Sequence, residues 1–151
     1  MRRFSGIAGF VLAIAILAIA SAGAQNSNEL IGAWELTQQT NPDGEPVDAT
    51  ALVVFSAGHY TYMATFGNDR PDYASGAEAT DEQRIAAFNT FAANGGAYSI
   101  SGNRSVSHPM VAKHAYQYAS DYTIEGNFVI EGDSMTFTND SGSVFKFRRL
   151  D

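Results

Sequence analysis

ALVVFSAGHYTYMATF, Ala51 to Phe66, is the stretch on which the fold turns. Ala51 to Phe55 is short, apolar and β-branched. Ser56-Ala57-Gly58-His59 then supplies a turn. From Tyr60 the residues alternate: Tyr60, Tyr62, Ala64 and Phe66 fall on one face, and Thr61, Met63 and Thr65 on the other. Period two is the signature of a half-buried strand, because successive side chains of an extended chain point to opposite faces. Two such runs around a glycine turn read as a β-hairpin.

The same reading extends outward in both directions. Leu30-Ile31-Gly32-Ala33-Trp34-Glu35-Leu36-Thr37 is a preceding strand, closed by the turn Asn41-Pro42-Asp43-Gly44. Downstream, the polar loop Asn68-Asp69-Arg70-Pro71-Asp72-Tyr73-Ala74-Ser75-Gly76 leads into the one helical signal. Thr80 with Gln83 three residues on forms a capping box, and Asp81 and Glu82 suit the positive end of a helix dipole. Ile85, Phe88, Phe91 and Ala92 make an apolar stripe, and Asn94-Gly95-Gly96 is expected to stop the helix. That stripe predicts a plug or lid over one end of the sheet. Strands then resume at Ala97 to Ser101 and, after Gly102-Asn103, at Arg104 to Val111, where Pro109 marks an edge strand or a bulge. Ala112 to Ser120 is ambiguous. Asp121 to Glu125, Phe128 to Glu131, Met135 to Thr138 and Val144 to Leu150 are further strand candidates, with turns at Gly126-Asn127, Gly132-Asp133 and Asn139 to Gly142. Short strands joined by short turns predict an all-β, antiparallel up-and-down barrel of about eight strands, with one helix inserted after the third. Closure leaves no adhesive sheet edges.

The chain of 151 residues opens differently. Met1-Arg2-Arg3 is a basic n-region, Phe4 to Ala20 is almost wholly apolar, and Ser21-Ala22-Gly23-Ala24 offers small residues for cleavage. Residues 1–24 therefore read as a signal peptide and 25–151 as the barrel domain, exported to the periplasm or beyond. The alternative, an uncleaved anchor, is disfavoured because the run falls short of the roughly 20 residues of a spanning helix. No stable membrane insertion is expected after cleavage. With no cysteine, the fold has no disulfide and rests on its core. Without Arg2 and Arg3, 7 basic residues face 16 acidic ones, a net charge of −9. That balance excludes a nucleic-acid partner, since phosphate contacts need Lys and Arg.

Leu30 to Leu36 resembles the G-x-W opening strand of lipocalins. The ordered set around it is more specific: the hairpin ending at Phe66, the Asn-Asp-Arg-Pro loop, the Thr80-Asp81-Glu82-Gln83 helix start, Gly95-Gly96-Ala97-Tyr98, Val106-Ser107-His108, and Phe128 to Phe137 with Gly132-Asp133. Throughout the mature chain this is similar to the bacterial lipocalin-like domain family. The resemblance implies a calycin-type barrel and no single activity, since relatives range from carriers of small apolar molecules to a few enzymes. The chain departs from the pattern before Phe128, where Glu125-Gly126-Asn127 stands in place of an Arg. The resemblance also implies an Arg on the last strand lying across the Trp34 indole. Arg149 shares a phase with Phe145 and Phe147 and is the first choice, Arg148 the second.

Candidate binding residues follow from strand parity. His108 shares a phase with Val106 and Met110. Tyr60, Tyr62, Tyr98 and Tyr122 share phases with Phe66, Ile100 and Ile124. If those faces point inward, Tyr62, Tyr98, His108 and Tyr122 orient a small apolar or amphipathic ligand, with Arg70 and Tyr73 at the pocket mouth. The competing reading is that they are core residues bonded to one another or to buried water. An enzymatic alternative (isomerase, cyclase or hydrolase-like) would use His108 as acid or base, though no G-x-S-x-G or H-E-x-x-H motif accompanies it. A third reading is an interaction module whose barrel is filled by its own side chains. His59, His108 and His114 lack metal-ligand spacing, and no cofactor is implied.

Overall fold

In the computed structural model, which describes residues 27–68, 70–119 and 121–150, eight antiparallel strands form a closed barrel in sequence order. They are β1 (Gly32–Thr40), β2 (Ala49–Ser56), β3 (His59–Phe66), β4 (Phe91–Ser101), β5 (Arg104–Ala112), β6 (Ile124–Glu131), β7 (Ser134–Asn139) and β8 (Val144–Arg149). The proposed signal peptide lies outside the described residues. A short helix α1 (Ser27–Leu30) precedes β1, and α2 (Asp81–Asn89) is inserted between β3 and β4, as predicted. A single 3-10 turn, Ala115–Tyr118, lies between β5 and β6.

The hairpin that opened the reading pairs in full register, from Ala49 opposite Phe66 to Ser56 opposite His59. Closure comes from β8 returning to β1, with Trp34 opposite Arg149 and Leu36 opposite Phe147. The barrel therefore has two unlike ends. One carries α1 and the tight turns at Gly58, Gly102 and Gly132, each with positive φ. The other carries the longer connections, including α2 and the 3-10 turn. Trp34, Phe128 and Leu30 are the largest side chains fully removed from water. At the tight-turn end Trp34 Nε1 donates to Leu30 O at 2.8 Å. The Arg149 guanidinium lies 4.0 Å from the Trp34 ring centroid and donates to Ile31 O and Glu29 O.

The helix departs from expectation in two ways. It starts at the Thr80 capping box, but it ends at Asn89, and Phe91 already belongs to β4. Thr90 turns its hydroxyl back onto Ala86 O and closes the last turn. Asn94-Gly95-Gly96 is therefore mid-strand and not a helix stop. Nor is α2 a plug: Ile85 is 60% and Phe88 51% exposed, and only Ala87 is buried. Lys113 fixes the helix end instead. Its ammonium donates to the carbonyls of Phe88 and Phe91 and sits 3.9 Å from the Phe88 ring centroid. A cation there suits the negative end of the helix dipole.

Two further differences concern β5 and β6. Pro109 marks a bulge: Gly96 pairs with Pro109 and Gly95 with Val111, leaving Met110 over. Gly126-Asn127 is not a turn but the interior of one continuous strand, β6. A Cβ on Gly126 would lie 2.4 Å from Thr138 O and 2.6 Å from Phe137 Cζ. The bare glycine therefore makes room for the Phe137 ring on the neighbouring strand.

The β5–β6 seam is short, from Arg104 opposite Asn127 to Ser107 opposite Ile124. Outside it, Arg104 holds Asp140 through both nitrogens at 2.7 and 2.6 Å, and Glu125 at 2.7 Å. The Arg104 hydrogen bond draws the Asp140 carboxyl below its ordinary value. The Thr123 hydroxyl, then Arg104, does the same for Glu125. Lowered carboxyl values mean stabilisation that is complete above the unfolded carboxyl range, about pH 4, and is lost as pH falls through the folded values. An Arg104→Met variant should accordingly melt below the wild type at pH 7, with the difference shrinking as the pH is taken to 3. A difference in melting temperature that stays constant with pH would contradict the pairing.

Candidate ligand cavity

Strand parity sends Val53 and Phe55 of β2, Tyr60 and Tyr62 of β3, and Asn94 of β4 into the barrel, where they meet a cavity of about 170 Å³. That is several times the roughly 30 Å³ a water occupies in the liquid. Its walls differ. From β3 to β5 they present Tyr60, Tyr62, Asn94, Ser105 and Ser107. From β6 to β8 they present chiefly Phe128, Met135, Phe137, Phe145 and Phe147. Among the described residues lining it, none carries a charged side chain at neutral pH.

The polar wall is internally bonded. Tyr60 Oη donates to Asn94 Oδ1 at 2.7 Å, with both residues buried. Burial, with Tyr122 nearby as a lesser cause, pushes the Tyr60 hydroxyl well above its ordinary value. Burial alone pushes Tyr62 up to about 12. Both hydroxyls therefore stay neutral, because the low-dielectric interior disfavours the phenolate. Asn139 also reaches the cavity, but its Oδ1 already accepts from Ser143 N at 2.8 Å and Ser141 Oγ at 2.7 Å.

Of the sequence-predicted binding residues, Tyr62 is among those that line the cavity, and Tyr98, His108, Tyr122, Arg70 and Tyr73 are not. Tyr98 is buried near the tight-turn end, where its hydroxyl donates to Ser56 O at 2.9 Å and its ring meets Phe55 edge-on. Tyr122 is half-buried, accepting from Gln117 Nε2 at 3.3 Å and meeting the Tyr116 ring edge-on. Arg70 is exposed, 5.7 Å from the Phe91 ring centroid, and Tyr73 is half-buried in the same loop. Asp69 lies outside the described residues.

His108 does not face the cavity. It is exposed, and so is Met110, because Ser105 and Ser107 are the buried members of β5. The inward phase of β5 carries the small hydroxyls and the outward phase the larger side chains. An acid–base role for His108 inside the barrel falls with that orientation. Tyr60, Asn94, Ser105 and Ser107 line the cavity but were not among the binding residues expected from sequence. For the serines the available signal was the second phase of Arg104 to Val111. For Asn94 the signal was masked by the glycine pair beside it. Among the described residues no group of three or more His, Asp or Glu side chains is placed to hold a metal ion.

A closed eight-stranded antiparallel barrel with an internal cavity is compatible with a calycin-like fold. No family model and no curated protein matches the chain. Among solved structures it is similar to an uncharacterised protein from Bacteroides eggerthii, at 13% identity and a TM-score of 0.43, covering 80% of this chain and 99% of that one.

Proposed function

We propose that this chain is an exported, lipocalin-like protein that holds a small, largely apolar molecule inside its barrel. The observation that carries the reading is the 170 Å³ cavity, partly open to solvent and lined by aromatic and aliphatic side chains with a few polar groups on one wall. Such a mixture is what small-molecule sites use: apolar surface for affinity and a few polar atoms for orientation. The N-terminal n-region, apolar run and small-residue cleavage site support export, with Gln25 as the mature terminus.

The test is mass spectrometry of material extracted from the protein purified from its native host. Wild type should release a discrete small molecule. Ser107→Phe, which places a ring in the cavity, should release none while keeping a cooperative melt. An identical extract from both proteins, or an empty wild type that no small apolar compound stabilises, would refute the carrier reading.

A further inference from the structure

Resting on that binding role, we infer that the part of the ligand held in the barrel is electrically neutral and of single-ring size, with a hydrogen-bond-accepting group facing the β3–β5 wall and an apolar body on the β6–β8 wall. Size comes first. An apolar protein cavity of about 150 Å³ accommodates benzene. At about 170 Å³, this one holds one ring with a small substituent, and anything longer must extend through its open side to solvent.

Charge comes next. No charged side chain is present among the described lining residues to neutralise an ionised ligand. An unpaired charge taken out of water is strongly penalised. The raised hydroxyls of Tyr60 and Tyr62 report the same environment, which opposes ionisation of the protein's own groups.

Polarity comes last. The Tyr60 hydroxyl spends its proton on Asn94 Oδ1. What Asn94 offers the cavity is therefore its Nδ2 amide, which can only donate. The Ser105 and Ser107 hydroxyls on the adjoining strand can donate as well. A carbonyl or ether oxygen satisfies such a wall, and a bare hydrocarbon leaves it unpaired. On the facing side, Phe128, Met135, Phe137 and Phe145 offer ring faces and a thioether and make no comparable demand.

The experiment uses three probes of similar size: cyclohexanone, its hydrocarbon counterpart methylenecyclohexane, and cyclohexanecarboxylate at neutral pH. Binding is followed by NMR of the protein. Cyclohexanone should move the Asn94 side-chain amide resonances, and methylenecyclohexane should not. Asn94→Leu should weaken cyclohexanone about three- to tenfold, the worth of one net hydrogen bond, and leave methylenecyclohexane within about twofold on the same reasoning. Should Asn94→Leu fail to fold, the wild-type amide shifts decide. Tighter binding of the carboxylate than of the ketone would overturn the inference. So would ketone binding that neither moves the Asn94 amide nor responds to its loss; hydrocarbon binding would then still leave the barrel as a carrier. If neither neutral probe enters wild type, the carrier reading falls and this inference falls with it.

Discussion

Replacing Gly96 with alanine should strongly destabilise the barrel. An added Cβ would lie 2.0 Å from His108 O, 2.7 Å from Met110 N and 2.9 Å from Pro109 Cα. All three obstacles are backbone, so no rotamer change relieves them. They belong to the bulge where β5 is drawn close against β4. Relief would mean parting the two strands at the point where Gly96 pairs with Pro109. Ordinary overpacking costs about 1–3 kcal/mol. Here the upper end, about 3 kcal/mol, is the expected minimum, because nothing flexible yields. Against a total stability of about 5–15 kcal/mol, that loss would lower the urea midpoint by roughly 1 M or more at ordinary m-values. Gly76→Ala is the matched control: a Cβ there meets nothing within 4 Å, and the change should stay within about 0.5 kcal/mol. A Gly96→Ala midpoint equal to that of the control would mean the bulge is not packed as described.

The same residue shows why some of the fold was legible in sequence and some was not. The Ala51 to Phe66 hairpin was legible because alternation, turn chemistry and β-branched content agreed over sixteen consecutive residues. The Thr80–Gln83 cap was legible because a capping box is purely local. Gly95-Gly96 was misread for the complementary reason. A glycine pair looks like a helix stop when only its neighbours are known. The demand it meets comes from a strand ten or more residues away. Gly126 repeats the lesson, since the ring that needs its bare Cα belongs to Phe137 on the next strand.

Parity decided the site. Strand parity says which residues share a face, but not which face is inside. Taking the apolar phase as inward works for β3, where Tyr60 and Ala64 are buried. It fails for β5, where Ser105 and Ser107 are buried while Met110 is 64% exposed. A cavity wall that must hydrogen-bond something inverts the usual pattern, so the polar half of the site is the part that hydropathy hides.

Trp34→Ala should cost about 3–5 kcal/mol, the range for deleting a buried indole. Trp34 has no exposed surface, and its removal strips the tight-turn end of both its packing and its link to Leu30 O. Arg149 depends on the same ring. It bonds two carbonyls, Ile31 O at 2.8 Å and Glu29 O at 2.6 Å, while its plane covers the indole. The indole therefore presses on the guanidinium that anchors α1 and the start of β1. Arg149→Met keeps the length of the side chain but loses the charge and the donors, and should cost about 1–2 kcal/mol, from a cation–π contact and charge-assisted bonds at a partly exposed site. Because the two residues share one contact, their effects should not add. A double-mutant cycle should return a coupling of about 0.5–2 kcal/mol. Trp34 is the only tryptophan in the chain, so its emission reports on this end alone. Arg149→Met should shift that emission to longer wavelength as water reaches the exposed ring face, before global unfolding begins. Additive costs and unchanged emission would show that Arg149 and Trp34 stabilise the barrel separately, and that α1 is held by the backbone bonds without the ring.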